Sequence, residues 1–96
     1  MKAAPQSRLV VLASLGHASY RLRRDLFVEL DSSGSSVTAH SVELEEYGMG
    51  DTDYEALASL RMALCETFDF LRENEAMLGT DLRAQLDRFR ELVAVK

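Results

Sequence analysis

The run Tyr47-Gly-Met-Gly-Asp-Thr-Asp-Tyr-Glu-Ala-Leu-Ala-Ser59 carries the chain from an extended segment into a helix. Thr52 stands where an N-cap belongs, and Glu55 follows three residues later. Their side chains can satisfy each other's orphan backbone N–H groups, the reciprocal arrangement of a capping box. Gly48 and Gly50 allow the chain to turn without Cβ clashes just before the helix.

Downstream, the pattern predicts a helix from Asp53 to Glu73. Leu57, Leu60, Leu64, Phe68 and Leu71 are spaced 3, 4, 4 and 3, which makes one continuous apolar face. Ala56, Met62, Ala63 and Phe70 widen that face, as suits a helix touching both its own sheet and a second subunit; full coverage within the monomer explains it equally well. Asn74 to Gly79 reads as a connection. Thr80 can then cap a second helix from Asp81 to about Val93, in a C-terminal helical segment 80–96, with Leu82, Leu86, Phe89 and Val93 on its buried face.

Upstream, Tyr20, Leu22, Leu26, Val28 and Leu30 alternate with mostly charged residues, the period of a half-buried strand over Tyr20 to Asp31. Arg24 and Phe27 break the alternation. Ser32-Ser-Gly-Ser-Ser36 is a turn, with Gly34 free to take positive φ, so a β-hairpin follows. Val37 and Ala39 lie on odd positions, Val42 and Leu44 on even ones. That phase flip near His40-Ser41 predicts a bulge or break, with the second and third strands joined through residues 41–43. Leu9 to Leu15 is a continuous apolar run that Val10 and Val11 tilt towards a strand, and residues 1–7 read as a disordered terminus. Strands followed by two helices give an α+β class: a small antiparallel sheet of three to four strands against a long helix, with a second helix after it.

Ninety-six residues form a single domain, 1–96, with 47% apolar and 28% charged residues. Oligomerisation would add materially to the stability of a core this small. Cys65 is the lone cysteine, so an intrachain disulfide scaffold is excluded. The run Leu9 to Leu15 is far below the roughly 20 residues that span a bilayer, and it makes a poor signal peptide with Arg8 adjoining it. A cytoplasmic protein is expected.

The net charge of −5 is unevenly spread. Residues 1–40 carry five basic and three acidic groups; residues 41–96 carry six basic and thirteen acidic. Between Glu43 and Leu60 there are six carboxylates and no base. Such a surface repels a phosphate backbone, so direct nucleic-acid binding is not expected there, and it attracts a basic protein. Glu43, Glu45, Glu46, Asp51 and Asp53 are the candidate partner-binding residues; a solvated acidic edge that keeps the chain soluble is the plainer explanation.

Arg21, Arg23 and Arg24 concentrate the positive charge. Arg21 and Arg23 would share one strand face and meet nucleic acid, or an acidic strip such as Glu43 to Glu46 on a neighbouring copy. The second is favoured, because the chain supplies both signs. Arg21, Arg23, Met62 and Phe70 are thus the candidate oligomer interface.

Asp51, Asp53 and Glu55 invite a metal reading, but caps and the helix dipole explain them better. Gly48-x-Gly50 lacks the lysine and the full pattern of a phosphate loop. His17 and His40 fit no zinc spacing, and Cys65 reads as a small apolar filler. With no nucleophile elbow or activated pair, no catalytic residue, cofactor or metal is assigned and no enzyme is expected.

Residues from about Leu26 to Leu71 resemble the HicB-like antitoxin domain. The matching residues are Gly50-Asp51-Thr52, Glu55-Ala56-Leu57, Leu60 and Ala63-Leu64, with Leu26-Phe-Val-Glu-Leu30, Gly34 and Val37-Thr-Ala39 in the first two strands. The chain has Glu43-Leu-Glu-Glu46 where that family often has a Pro-Gly-Cys-like turn. Many members of that family also continue into a DNA-binding helix-turn-helix or ribbon-helix-helix, in place of which this sequence has the single helix after Thr80, with as many acidic residues as basic ones. The resemblance implies a ribonuclease H-like fold without its catalytic carboxylates, in a small dimer or higher oligomer. It also implies a partner, often a small basic toxin that acts on RNA.

Overall fold

The computed structural model describes residues 6–96, with Gln6 described by its backbone alone. Six strands and two α-helices are present in this range: β1 (Gln6–Leu12), β2 (Tyr20–Leu22), β3 (Leu26–Ser33), β4 (Ser36–Ser41), β5 (Tyr47–Gly50), α1 (Asp53–Glu73), α2 (Thr80–Leu92) and β6 (Val93–Val95). A 3₁₀ turn, Glu75–Met77, links the helices. The class is α+β. A four-stranded antiparallel sheet in the order β1-β3-β4-β5 packs one face on α1, and β2 pairs with β6 in a separate two-stranded sheet.

Alternation builds the large sheet. Leu26, Val28 and Leu30 of β3 and Val37 and Ala39 of β4 point inward and are buried against Ala56, Leu60 and Leu64 of α1. The β3–β4 hairpin closes through Gly34 at φ +62°, a conformation that glycine adopts without a Cβ clash. Thr52 is the N-cap of α1: its Oγ1 accepts from the Glu55 N–H at 3.1 Å, while Glu55 Oε1 accepts from the Asp51 N–H at 3.2 Å. The box is therefore reciprocal but displaced by one residue on the return bond.

Gly48 and Gly50 do a different job from the turn expected of them. Both lie within β5, on the face that touches α1. A Cβ on Gly48 would stand 2.2 Å from Leu60 N and 2.5 Å from Ala56 O, and one on Gly50 would stand 2.4 Å from Glu55 Cβ. The strand and helix backbones meet directly, and only glycine fits between them.

Four expectations are corrected. The single strand over Tyr20 to Asp31 is two strands in two sheets, broken at Arg23-Arg24-Asp25. The second helix ends at Leu92, and Val93–Val95 turn into β6, where the backbone pairs with β2 and Val93 and Ala94 are buried. Gly79, not Thr80, is the N-cap of α2, and it offers no side-chain hydrogen bond. Gln6 and Ser7 belong to β1 instead of a disordered terminus, while residues 1–5 of that expectation lie outside the described residues.

The phase flip after His40 marks the end of β4. Buried Ser41 organises the turn that follows: its backbone N–H donates to Glu46 O at 2.9 Å, and its Oγ accepts from the Leu44 N–H at 3.3 Å. Glu45 takes φ +54° there, the left-handed region.

The molecule is elongated, 53 × 27 × 18 Å, with α1 running through both parts. At its C-terminal end Phe68 stacks on Phe89 of α2 with ring centroids 5.5 Å apart, and Tyr20 of β2 tilts against Phe68 at 5.0 Å. No helix among the described residues is long and apolar enough to cross a membrane.

Candidate protein-interaction surface

The same alternation that buries one face of the large sheet exposes the other. Strand register sets Leu9, Glu29, His40 and Tyr47 in one row across β1, β3, β4 and β5, with Val11 beside Phe27 and Thr38 beside Met49. Val42 joins the Val11–Phe27 row, its N–H donating to Phe27 O at 3.2 Å. No element of the described chain covers this side. Leu9 is 63% exposed, Phe27 47%, Tyr47 60% and Met49 63%. Single exposed apolar residues are ordinary; several sharing one sheet face make a contiguous patch, which is what singles this surface out as a candidate.

A polar seam crosses that face. The His40 ring stacks on Tyr47 at 4.5 Å, and its Nδ1 lies 3.5 Å from Glu29 Oε2. Strands β1 and β5 are the sheet edges, so a row of backbone donors and acceptors borders the apolar face on each side.

The five candidate partner-binding carboxylates divide into two groups. Asp53 receives both Nη atoms of Arg8 at 2.8 Å, and the hydrogen bonds from that guanidinium hold its carboxyl below the usual aspartate range. Glu43 pairs with Arg24 at 2.5 Å, while its Oε1 is buried without a hydrogen-bond partner among the described residues. Glu46 accepts a hydrogen bond from Thr67 on α1. These three carboxylates tie β1, the break after β2 and the β4–β5 turn into the fold. Glu45 and Asp51 are exposed at the rim of the sheet.

The four candidate interface residues do not form one surface. Arg21 and Arg23 are exposed near β6, where they share a concavity with Arg72 and Arg90. Met62, exposed on α1, borders a different cavity of about 600 Å³ between the helix and residues 14–17. Phe70 is half exposed further along α1. Arg24, the third arginine of that cluster, meets Glu43 within its own chain.

The cavity beside Met62 gathers His17, Cys65 and Asp69, which spacing alone did not bring together. Its chemistry is quiet. Burial, with Asp69 and Glu66 nearby, pushes the Cys65 thiol up, so it stays protonated at neutral pH. Asp69 is engaged by the Tyr20 hydroxyl, which also accepts from Arg72 Nη1 at 2.9 Å. Burial and the bond to Asp69 raise the Tyr20 pKa. No group of three or more His, Cys, Asp or Glu among the described residues is placed to hold a metal.

Sequence reasoning missed the apolar sheet face. Phe27 carried the signal: a large aromatic on the polar phase of a strand is out of place unless that side also meets something. No protein-family model matches the chain, and no curated protein or solved structure matches it either.

Proposed function

We propose that this chain is a non-catalytic protein-interaction module, similar to a HicB-like antitoxin or a regulator derived from one. It self-associates and binds a basic partner protein. The observation that carries the reading is the uncovered sheet face of Leu9, Val11, Phe27, Val42, Tyr47 and Met49. A second copy covers this face, because a two-fold axis through it sets apolar rows on apolar rows. Glu45 and Asp51 at the rim stay outside that contact and give the outer surface the sign that steers a basic protein.

Two measurements test this. Light scattering behind gel filtration should give a dimer or larger for the natural chain, and Phe27→Glu or Met49→Glu should return it to a monomer with its circular dichroism intact. A monomeric natural chain at micromolar concentration overturns self-association. A tagged pull-down at low and then raised salt should recover a stoichiometric small basic protein that elutes as salt rises. Recovery of the chain with copies of itself alone would leave an oligomeric structural or regulatory domain without a toxin partner.

A further inference from the structure

Four guanidinium groups surround one concavity of about 490 Å³ beside β6. Arg21 and Arg23 come from β2 and its exit, Arg72 from the last turn of α1, and Arg90 from the last turn of α2. Buried Phe68 and the β6 backbone form the wall between them. The gathering runs against composition, because the chain carries −5 overall and thirteen of its acids follow residue 40.

Of the four, Arg90 alone makes an ion pair among the described residues. Glu75 accepts from both its Nη atoms at 2.7 and 2.8 Å, and also lies 4.0 Å from Arg83. Among the described residues no carboxylate comes within ion-pair distance of Arg21, Arg23 or Arg72.

The chain nevertheless orients two of these side chains, Arg23 and Arg72. Arg23 Nε donates to Arg90 O at 2.9 Å, which leaves its two terminal nitrogens free. Arg72 donates to the Tyr20 hydroxyl at 2.9 Å and lies over the Tyr20 and Phe68 rings, 5.7 and 5.5 Å from their centroids. Guanidinium forks held in place with donors to spare are the arrangement that matches a tetrahedral oxyanion, and holding them in advance lowers the entropic cost of binding.

We propose that this concavity binds the phosphate group of a small soluble molecule, with Arg21, Arg23 and Arg72 as its donors. The volume admits a small phosphorylated compound. A long polyanion is disfavoured, because the chain carries a net charge of −5 overall. The assignment is independent of how copies of the chain associate.

Calorimetric titration of the full chain with pyrophosphate, at roughly 0.15 M salt, tests it. Saturable, stoichiometric binding is expected, with amide NMR shifts confined to residues around Arg21 to Arg23 and Val93 to Val95. Arg21→Gln and Arg23→Gln should each weaken binding about tenfold, the loss of one charge-assisted hydrogen bond. Arg88→Gln, on α2 outside the concavity, should leave it unchanged; unaltered melting curves would show that all three variants fold. Absence of saturation, or equal weakening by Arg88→Gln, overturns the proposal. So does displacement of pyrophosphate by a single-stranded oligonucleotide at lower phosphate concentration. A fourth overturning result is an Arg21→Gln chain that loses self-association while its pyrophosphate binding is untouched.

Discussion

The two ends of α1 are packed by opposite means. At its start, β5 lies against the helix backbone to backbone, with Gly48 and Gly50 leaving no space for side chains. At its end, the large rings of Phe68, Phe89 and Tyr20 fill the space between α1, α2 and the β2–β6 pair. The first joint is a fit of shapes with nothing to give; the second is a stack of side chains that can shift. Intolerance to added atoms should therefore concentrate at the first end, and sensitivity to lost atoms at the second.

The most severe test is Gly48→Ala. One methyl group would meet three backbone atoms that cannot rotate away, so β5 and α1 must separate. The expected loss is at least ~3 kcal/mol, a large share of a small domain's stability. A melting curve reads it directly, and a loss below ~1 kcal/mol would show that the two backbones yield. Phe89→Leu probes the other end, where the neighbouring rings can close part of the gap. We expect about 1–2 kcal/mol by denaturant titration, with the m-value unchanged. A loss larger than that of Gly48→Ala would reverse the contrast.

Two finer predictions sharpen it. Glu45→Gly relieves the left-handed backbone of the β4–β5 turn and should stabilise the chain by less than ~1 kcal/mol, since glycine's extra freedom when unfolded offsets part of the gain. Destabilisation would mean that the Glu45 side chain matters to the fold. The smallest effect is on acidification. Asp53 at the sheet end and Glu75 at the helix end are each held below their ordinary range, first by hydrogen bonds from Arg8 and Arg90 respectively. A depressed carboxyl pKa gives stability that is fully present above the unfolded value, near pH ~4–5. That stability drains away as pH falls through the folded value. Asp53→Asn and Glu75→Gln should each flatten part of the acid limb of a stability–pH curve. Both pairs are exposed, so the effect should fade in high salt.

The contrast also shows what could be read from the sequence. Strands and helices with a strong period were legible: Leu26, Val28 and Leu30 set β3, and Leu60, Leu64, Phe68 and Leu71 set α1. The glycines were legible as special positions, but their reason lay in the helix opposite. The break at Arg23-Arg24-Asp25 was hidden because Leu22 and Leu26 keep the same parity on either side of it. Val93 follows Phe89 at helical spacing, so it read as a further turn of α2, and only its distant partner β2 makes it a strand. For the acidic residues, sign was legible and pairing was not. Whether Asp53 or Asp51 is free depends on where Arg8 arrives, and that is a property of the fold.

The β2–β6 pair has a consequence in time. The partners of β3, β4 and β5 are near in sequence, so the large sheet and α1 can form early and quickly. Tyr20 must wait for Val95, about seventy-five residues downstream. On a ribosome, which emits the chain in order, β2 would emerge early and remain an unpaired, arginine-flanked strand until the whole of α2 had followed it. The concavity that those arginines border would be the last part of the molecule to come into existence.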